Sequence, residues 1–252
     1  MRRQWTFRWI AATAALCLMG ATASAGTIVE IAALPLGTLA TIDLAVILST
    51  TDLTADSSIR SFQIRDTTRA ITIYGTNAEI GAALTGFGVG DVIEISGQTA
   101  RRQGGLVLIT TVGGFAVTGR TETLPLLSNA LLVSPSDIAE PYESNLVCLQ
   151  NVSFAGAGTF AAGSEYTLAG GAAIVRITSA DLGFAGLPIP GGLLNITGIV
   201  IPSDPADPTS SGIGYRLAPR GPDDIVSVPE PATLSLLAVA LGALMARGRR
   251  RA

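Results

Sequence analysis

The chain has 252 residues, 48% of them hydrophobic, and a formal net charge of −3. All 16 basic residues are arginine, and both lysine and histidine are absent. Without histidine there is no Ser-His-Asp triad, no Cys-His dyad and no histidine zinc site, and the commonest general base is missing.

The N-terminus reads as a secretory leader. Arg2, Arg3 and Arg8 precede an apolar stretch from Trp9 to Met19, and small residues lead to Ala23-Ser24-Ala25. That A-x-A pattern predicts cleavage before Gly26 and sets residues 1–25 apart as a signal helix. The body then runs from Gly26 to Ser227. Of the 16 arginines, three fall in the leader and four in the last residues, leaving nine in the body; of the 19 acidic residues only Glu230 lies outside it, leaving 18, so the body is near −9. A surface this acidic repels polyanions and argues against broad nucleic-acid binding. Cys17 leaves with the leader, so Cys148 has no internal disulfide partner; its setting, Leu146-Val147-Cys148-Leu149, predicts a buried structural thiol.

Short Val-, Ile- and Thr-rich runs divided by glycines predict an all-β body. Thr27–Leu34 reads as a strand or one short helical turn ending at Pro35, and Thr38–Leu48 as a long strand. Ile59–Arg65 alternates, with Phe62 and Ile64 on one side and Ser61, Gln63 and Arg65 on the other. Asp66-Thr67-Thr68 turns the chain, and Ala70–Tyr74 returns with Ile71 and Ile73 inward. Asn77–Leu84 predicts a short helix; Asp91–Ala100 is a strand with Ile93 and Ile95 inward, and it turns at Arg101–Gly105 into Leu106–Thr111. The order is β-β-β-α-β-β.

A second pass follows the linker-like Gly119–Pro125. Asn145–Phe154 is a long strand, Tyr166–Leu168 and Ala173–Thr178 form a hairpin across Gly170-Gly171, and Ser179–Leu187 is a candidate short helix. Leu193–Ile201 is the counterpart of the Asp91 strand, with Thr197-Gly198 where the first pass has Ser96-Gly97, and Tyr215-Arg216-Leu217 closes the unit. In the first pass the defining runs are Ser61–Asp66, Ile71–Tyr74 and Gly90–Gly97; in the second they are Asn145–Val147, Asn151-Val152, Tyr166–Leu168, Ile189-Pro190, Asn195–Ile199 and Tyr215–Arg220. Both resemble the OB-fold modules of secreted bacterial proteins. The resemblance implies two tandem OB-like barrels, 26–118 and 119–227; an immunoglobulin-like sandwich is the alternative.

The last residues, 228–252, have three parts. Val228-Pro229-Glu230-Pro231 stops regular pairing, because proline has no N–H to donate. The uncharged run from Ala232 to Ala246 would make a helix roughly 22 Å long at about 1.5 Å per residue, short of the roughly 30 Å hydrocarbon core. Arg247, Arg249, Arg250 and Arg251 then supply the positive charge that stays cytoplasmic. Together they resemble the PEP-CTERM sorting signal of Gram-negative bacteria. The resemblance implies a hydrophobic sorting helix with transient membrane contact, recognition at the Pro-Glu-Pro by a membrane transpeptidase (an exosortase), removal of the tail, and residence at the cell surface or in an extracellular matrix. Association with exopolysaccharide or biofilm is implied in the same way.

OB barrels bind through their second and third strands and the flanking loops. Here that face would offer Arg60, Arg65, Arg69, Phe62 and Tyr74, with Arg101 and Arg102 on the hairpin loop, residue types suited to stacking and charge on a sugar or a single nucleic-acid strand. The competing reading gives Phe62 to the core, Tyr74 to a cap on the barrel and the arginines to charge balance with Asp56, Asp66 and Glu79. Asp204, Asp207, Asp223 and Asp224 have no EF-hand spacing and read as solvated turn residues. Gly86-Phe87-Gly88-Val89-Gly90 lacks the lysine of a P-loop. Asn151-Val152-Ser153 and Asn195-Ile196-Thr197 match the glycosylation pattern within strands of a bacterial-type sequence, where chance accounts for them. No pair of carboxylates stands out for hydrolysis. The expectation is a non-catalytic structural or adhesive protein without cofactor or metal, processed by an exosortase; the alternative is an accessory binder of extracellular nucleic acid.

Overall fold

The computed structural model describes residues 24–51, 53, 59–102, 105–109, 115–121, 129–171, 173–178, 182–202 and 214–229. Residues 1–23 of the expected leader and the tail from Glu230 onward lie outside the described residues, while Ser24 and Ala25, expected to end the signal helix, are strand together with Gly26. Among the described residues no helix is long and apolar enough to cross a membrane.

The architecture is all-β, as the alternation predicts. In the first unit the elements are β1 (Ser24–Gly26), α1 (Ile28–Ala32), β2 (Leu39–Ser49), β3 (Ile59–Arg65), β4 (Ala70–Thr76), α2 (Asn77–Ala83), β5 (Val92–Arg102), β6 (Gly105–Ile109) and β7 (Ala116–Gly119). β2, β3, β4, β6 and β5 follow one another around a five-stranded barrel, closed by β5 pairing back onto β2. All these pairings are antiparallel except β4 with β6. The register of β2 against β5 slips between Ile42 and Ala45, a bulge that bends the strand. Ile42, Ile47, Phe62, Ile64, Ile71, Ile73, Ile93, Ile95 and Leu108 fill the inside, and Ile80 of α2 and Ile28 and Ile31 of α1 join them.

The second unit repeats the plan with β8 (Leu131–Val133), β9 (Leu146–Val152), β10 (Glu165–Thr167), β11 (Ile174–Arg176), β12 (Leu194–Pro202), β13 (Tyr215–Ala218) and β14 (Ile225–Ser227). β9, β12, β13, β11 and β10 follow in ring order, again with one parallel pair, β11 and β13. The ring closes where the chain beyond β9 meets the chain beyond β10: Phe154 bridges Leu168, and Ala155 N donates to Thr167 O over 2.9 Å. The candidate helix over 179–187 falls partly outside the described residues; from Gly183 the chain turns, with Leu182 and Phe184 buried. Phe184, in the connection between β11 and β12 that corresponds in order to the α2 connection of the first unit, meets Phe160 edge-on at 5.4 Å.

Short elements flank each ring in the same way. β1 lies parallel to β2 and β8 parallel to β9; β7 lies antiparallel to β5 and β14 antiparallel to β12. None of these four short strands is expected from the sequence. The register is shared as well: Ser24 faces Ala40, which faces Gly97, and Leu131 faces Val147, which faces Gly198.

After β1 the chain turns into α1, which settles Thr27–Leu34 as helical. The reason is a capping box: Thr27 accepts from Glu30 N, and the Glu30 carboxylate accepts from Thr27 N at 2.8 Å. The same device starts α2 with Thr76 and Glu79, and after β8 it recurs with Ser134 and Asp137 on a single 3-10 turn. These S/T-x-x-E/D spacings were the available signal for α1. The Thr27 N–H, then the Thr27 hydroxyl, hold the Glu30 carboxyl below its ordinary value of 4.5; the Ser134 hydroxyl, then its N–H, do the same for Asp137 below 3.8. A carboxyl depressed on folding stabilises above its unfolded pKa, and that contribution disappears as pH falls through the folded value. The two caps should therefore be intact at neutral pH and lost below the ordinary carboxylate range. An NMR titration should place Glu30 below 4.5, and Thr27→Val should return it only part of the way, because the larger, backbone contribution survives.

Asp66 ties the β3–β4 hairpin to α1. Buried, it accepts from Ile28 N at 2.6 Å through Oδ2, and from Thr68 N at 2.6 Å, Thr68 Oγ1 at 2.6 Å and Arg69 N at 2.9 Å through Oδ1. Removing that acceptor leaves several N–H groups without a partner, so Asp66→Ala should cost about 2–3 kcal/mol in denaturant unfolding. Asp66→Asn keeps the Oδ1 acceptor and should cost less.

Candidate ligand face and sorting motif

The outward side of β3 and β4 is the face on which the expected ligand residues were placed. On β3, Ser61, Gln63 and Arg65 point this way, facing Tyr74, Thr72 and Ala70 of β4. Although polar, Ser61, Gln63 and Thr72 are buried. The cover is the second unit. Ala70, with Val46, Leu48 and Leu53, belongs to one continuous apolar cluster with Leu146, Val147, Val175, Val200 and Leu217. The Thr72 and Ser144 hydroxyls share a buried hydrogen bond of 2.7 Å. Ser144 sits at φ 63, an unusual conformation for a residue with a Cβ, at the mouth of β9.

Arg220 fastens the other side of the contact. Its fork takes Asp224 by Nε at 3.0 Å and Nη2 at 2.8 Å, and its Nη1 donates to Leu48 O of the first unit at 3.1 Å. Asp224 is thereby a structural partner of arginine, bidentate and charge-assisted. Asp204 and Asp207 lie outside the described residues. Among the described residues no group of three or more His, Cys, Asp or Glu converges as a metal site would require.

The seven residues of the expected face do not form one surface. Phe62 is fully buried among the isoleucines of the barrel, because its position on β3 shares the inward side with Ile64. That corrects its assignment as a stacking platform. Arg60 lies on the same side of β3 as Phe62, opposite Gly75 at the far end of the strand, and is half-buried. Tyr74 is half-buried on the covered side, opposite Ser61. Arg65 is half-buried at the edge of the contact; burial lowers the pKa of its guanidinium, countered by Asp66, and its Nη1 is buried without a hydrogen-bond partner. Arg69 lies in the β3–β4 hairpin. Arg101 and Arg102 end β5, paired with Leu106 and Gly105, and their side chains lie outside the described set. Because β4 runs parallel to β6 with Thr72 beside Val107, that hairpin comes level with Ala70, and so with Arg65 and Arg69. The structure thus gathers Arg65, Arg69 and the Arg101-Arg102 backbone at one end of the barrel, and leaves Arg60 at the other.

Two further candidates resolve as structure. A hollow of about 430 Å³ beneath α2, walled by Phe87, Phe115 and Val117, has Glu79 as its acid, and that carboxylate is spent on the α2 capping box. Asn151 N donates to Asn195 Oδ1 at 3.2 Å, near the irregular register between β9 and β12, so the two sequon asparagines brace one another. Cys148 is half-buried in β9, its thiol 3.8 Å from Leu149 O.

At the other end of the chain, Val228 N donates to Leu193 O at 2.8 Å, the last bond of the β14–β12 ladder. Pro229 follows, exposed, and has no N–H with which to extend the pairing. Glu230, Pro231 and the apolar run lie outside the described residues, as does Ala23 of the expected leader cleavage; Ala25 and Gly26 fall within β1. No curated protein matches the chain in sequence. Residues 227–251 match a family described as the PEP-CTERM protein-sorting motif, so the match begins on the last residue of β14 and takes in Val228-Pro229-Glu230-Pro231, the apolar run and the arginines. The chain carries a PEP-CTERM sorting motif, the mark of an exported protein targeted to an exosortase.

Proposed function

We propose that the body is a non-catalytic structural or adhesive module, delivered to the cell surface or extracellular matrix and associated there with exopolysaccharide or biofilm. The observation that carries this reading is the sorting motif set directly on the last strand of a two-barrel body. The packing supports it. The face on which a single OB barrel holds its ligand is occupied, in the first unit, by the second, and the pair makes one continuous body suited to contact over its outer surface. The net charge of the body, near −9, favours neutral or cation-bridged polysaccharide over a polyanion.

The test is co-sedimentation of the purified body with extracellular polysaccharide from a producing strain, run beside a single-stranded DNA control over a salt series. Polysaccharide binding that is insensitive to salt, or that depends on added divalent cation, is the expected result. Binding to DNA alone, weakened by salt and lost in an Arg65→Ala/Arg69→Ala variant, would move the assignment to nucleic acid. Turnover of a glycan or phosphoester panel would replace it with an enzyme.

A further inference from the structure

The repeat itself indicates where the mature chain begins. In the second unit β8 covers the free side of β9 at Val147–Leu149, and the capped turn of Ser134 follows it directly. In the first unit β1 covers β2 at Ala40–Ile42, and the capped helix of Thr27 follows it directly. Ser24 occupies the register position of Leu131, three residues ahead of the capping residue in both cases. A chain beginning at Gly26 would keep one of the three β1 pairs and leave β2 with an open edge at Ala40 and Thr41, whereas the matching edge of the second unit is covered.

The sequence offers a second cleavage pattern that avoids this loss. Ala21-Thr22-Ala23 has the same small residues at the same spacing as Ala23-Ser24-Ala25, two positions earlier. We propose that signal peptidase cuts after Ala23 and that the mature chain starts at Ser24. Hydrolysis breaks the Ala23–Ser24 amide; water gives the leader a terminal carboxylate and Ser24 a free α-amine, and Ser24–Gly26 stay in the fold as β1. The second repeat, which no leader precedes, shows the complete unit that this cut preserves in the first.

The inference rests on reading the first residues as an export leader, and the test separates the two. The full-length chain is expressed in a secreting host, and the exported product is analysed by intact mass and N-terminal sequencing. Ser24 as the main first residue is expected, giving a product heavier than the Gly26 form by the Ser-Ala pair. Gly26 as the main start overturns the inference while leaving the leader reading in place. A product still starting at Met1 overturns both. Two variants separate the sites, since Ala21 serves only the earlier cut and Ala25 only the later. Ala25→Asp should be processed as before, and Ala21→Asp should accumulate precursor or shift to Gly26; the reverse pattern overturns the inference.

Discussion

Replacing Gly198 with valine is expected to break the second barrel, and Gly97→Val the first. The two glycines occupy the same register position, opposite Val147 and Ala40, where the fourth strand of each ring crosses the fifth. A Cβ on Gly198 would lie 2.8 Å from the Ala218 carbonyl, and one on Gly97 would lie 2.8 Å from Ile109 O and 2.7 Å from Leu108 Cδ2. At Gly198 the obstacle is largely backbone of the neighbouring strand, and at Gly97 it is the Ile109 carbonyl together with the buried Leu108 side chain, so relief requires the neighbouring strand to shift. Overpacking of this kind costs about 3 kcal/mol, a large part of a typical stability of roughly 5–15 kcal/mol. In a thermal melt this should appear as a fall of roughly 6–12 °C for a body of this size. Gly81→Ala is the matched control: no atom lies within 4 Å of its added Cβ. It sits exposed within α2, where alanine is favoured over glycine by about 1 kcal/mol, and should be neutral or slightly stabilising.

Replacing Pro229 and Pro231 with alanine should leave the tail uncut. The β14 ladder ends with Val228 N on Leu193 O, and Pro229 is where main-chain pairing must stop. The family match starts at Ser227, so the extended segment that a processing enzyme can hold begins at the surface of the body. With both prolines gone, the backbone restraint that proline places on its own residue and on the one before it is removed from the motif. Intact mass on surface and membrane fractions should find the wild-type chain without its arginine cluster in surface material, and the variant full-length at its C-terminus in the membrane fraction. Surface material that still carries Arg247–Arg251 in the wild-type chain would contradict the role assigned to the motif.

Much of the architecture was legible from residues alone. Strict alternation on Ile71–Ile73 and Ile93–Ile95 named four core side chains of the first barrel, and all four are buried there. The recurrence of Ser96-Gly97 as Thr197-Gly198 pointed to a repeated unit, and the structure supplies its cause in the strand crossing that excludes a Cβ from both glycines. The C-terminal motif was readable because its three parts are contiguous in the chain. The candidate face fared differently. Alternation along Ile59–Arg65 separates two sides correctly but does not say what covers each, and the polar Ser61 and Gln63, with Thr72 opposite Gln63, are buried.

By itself, then, the sequence determined what is local: which residues share a side of a strand, where proline ends pairing, and the sorting motif carried by residues 227–251. The tertiary structure alone decided what joins positions far apart. Asp66 reaching Ile28, Ser144 reaching Thr72, and Arg220 reaching Leu48 leave no periodic trace, because each partner obeys only the rules of its own strand or turn. The covering of one barrel's face by the other follows the same logic, since burial is a property of the pair of surfaces, and a single strand encodes only its own side.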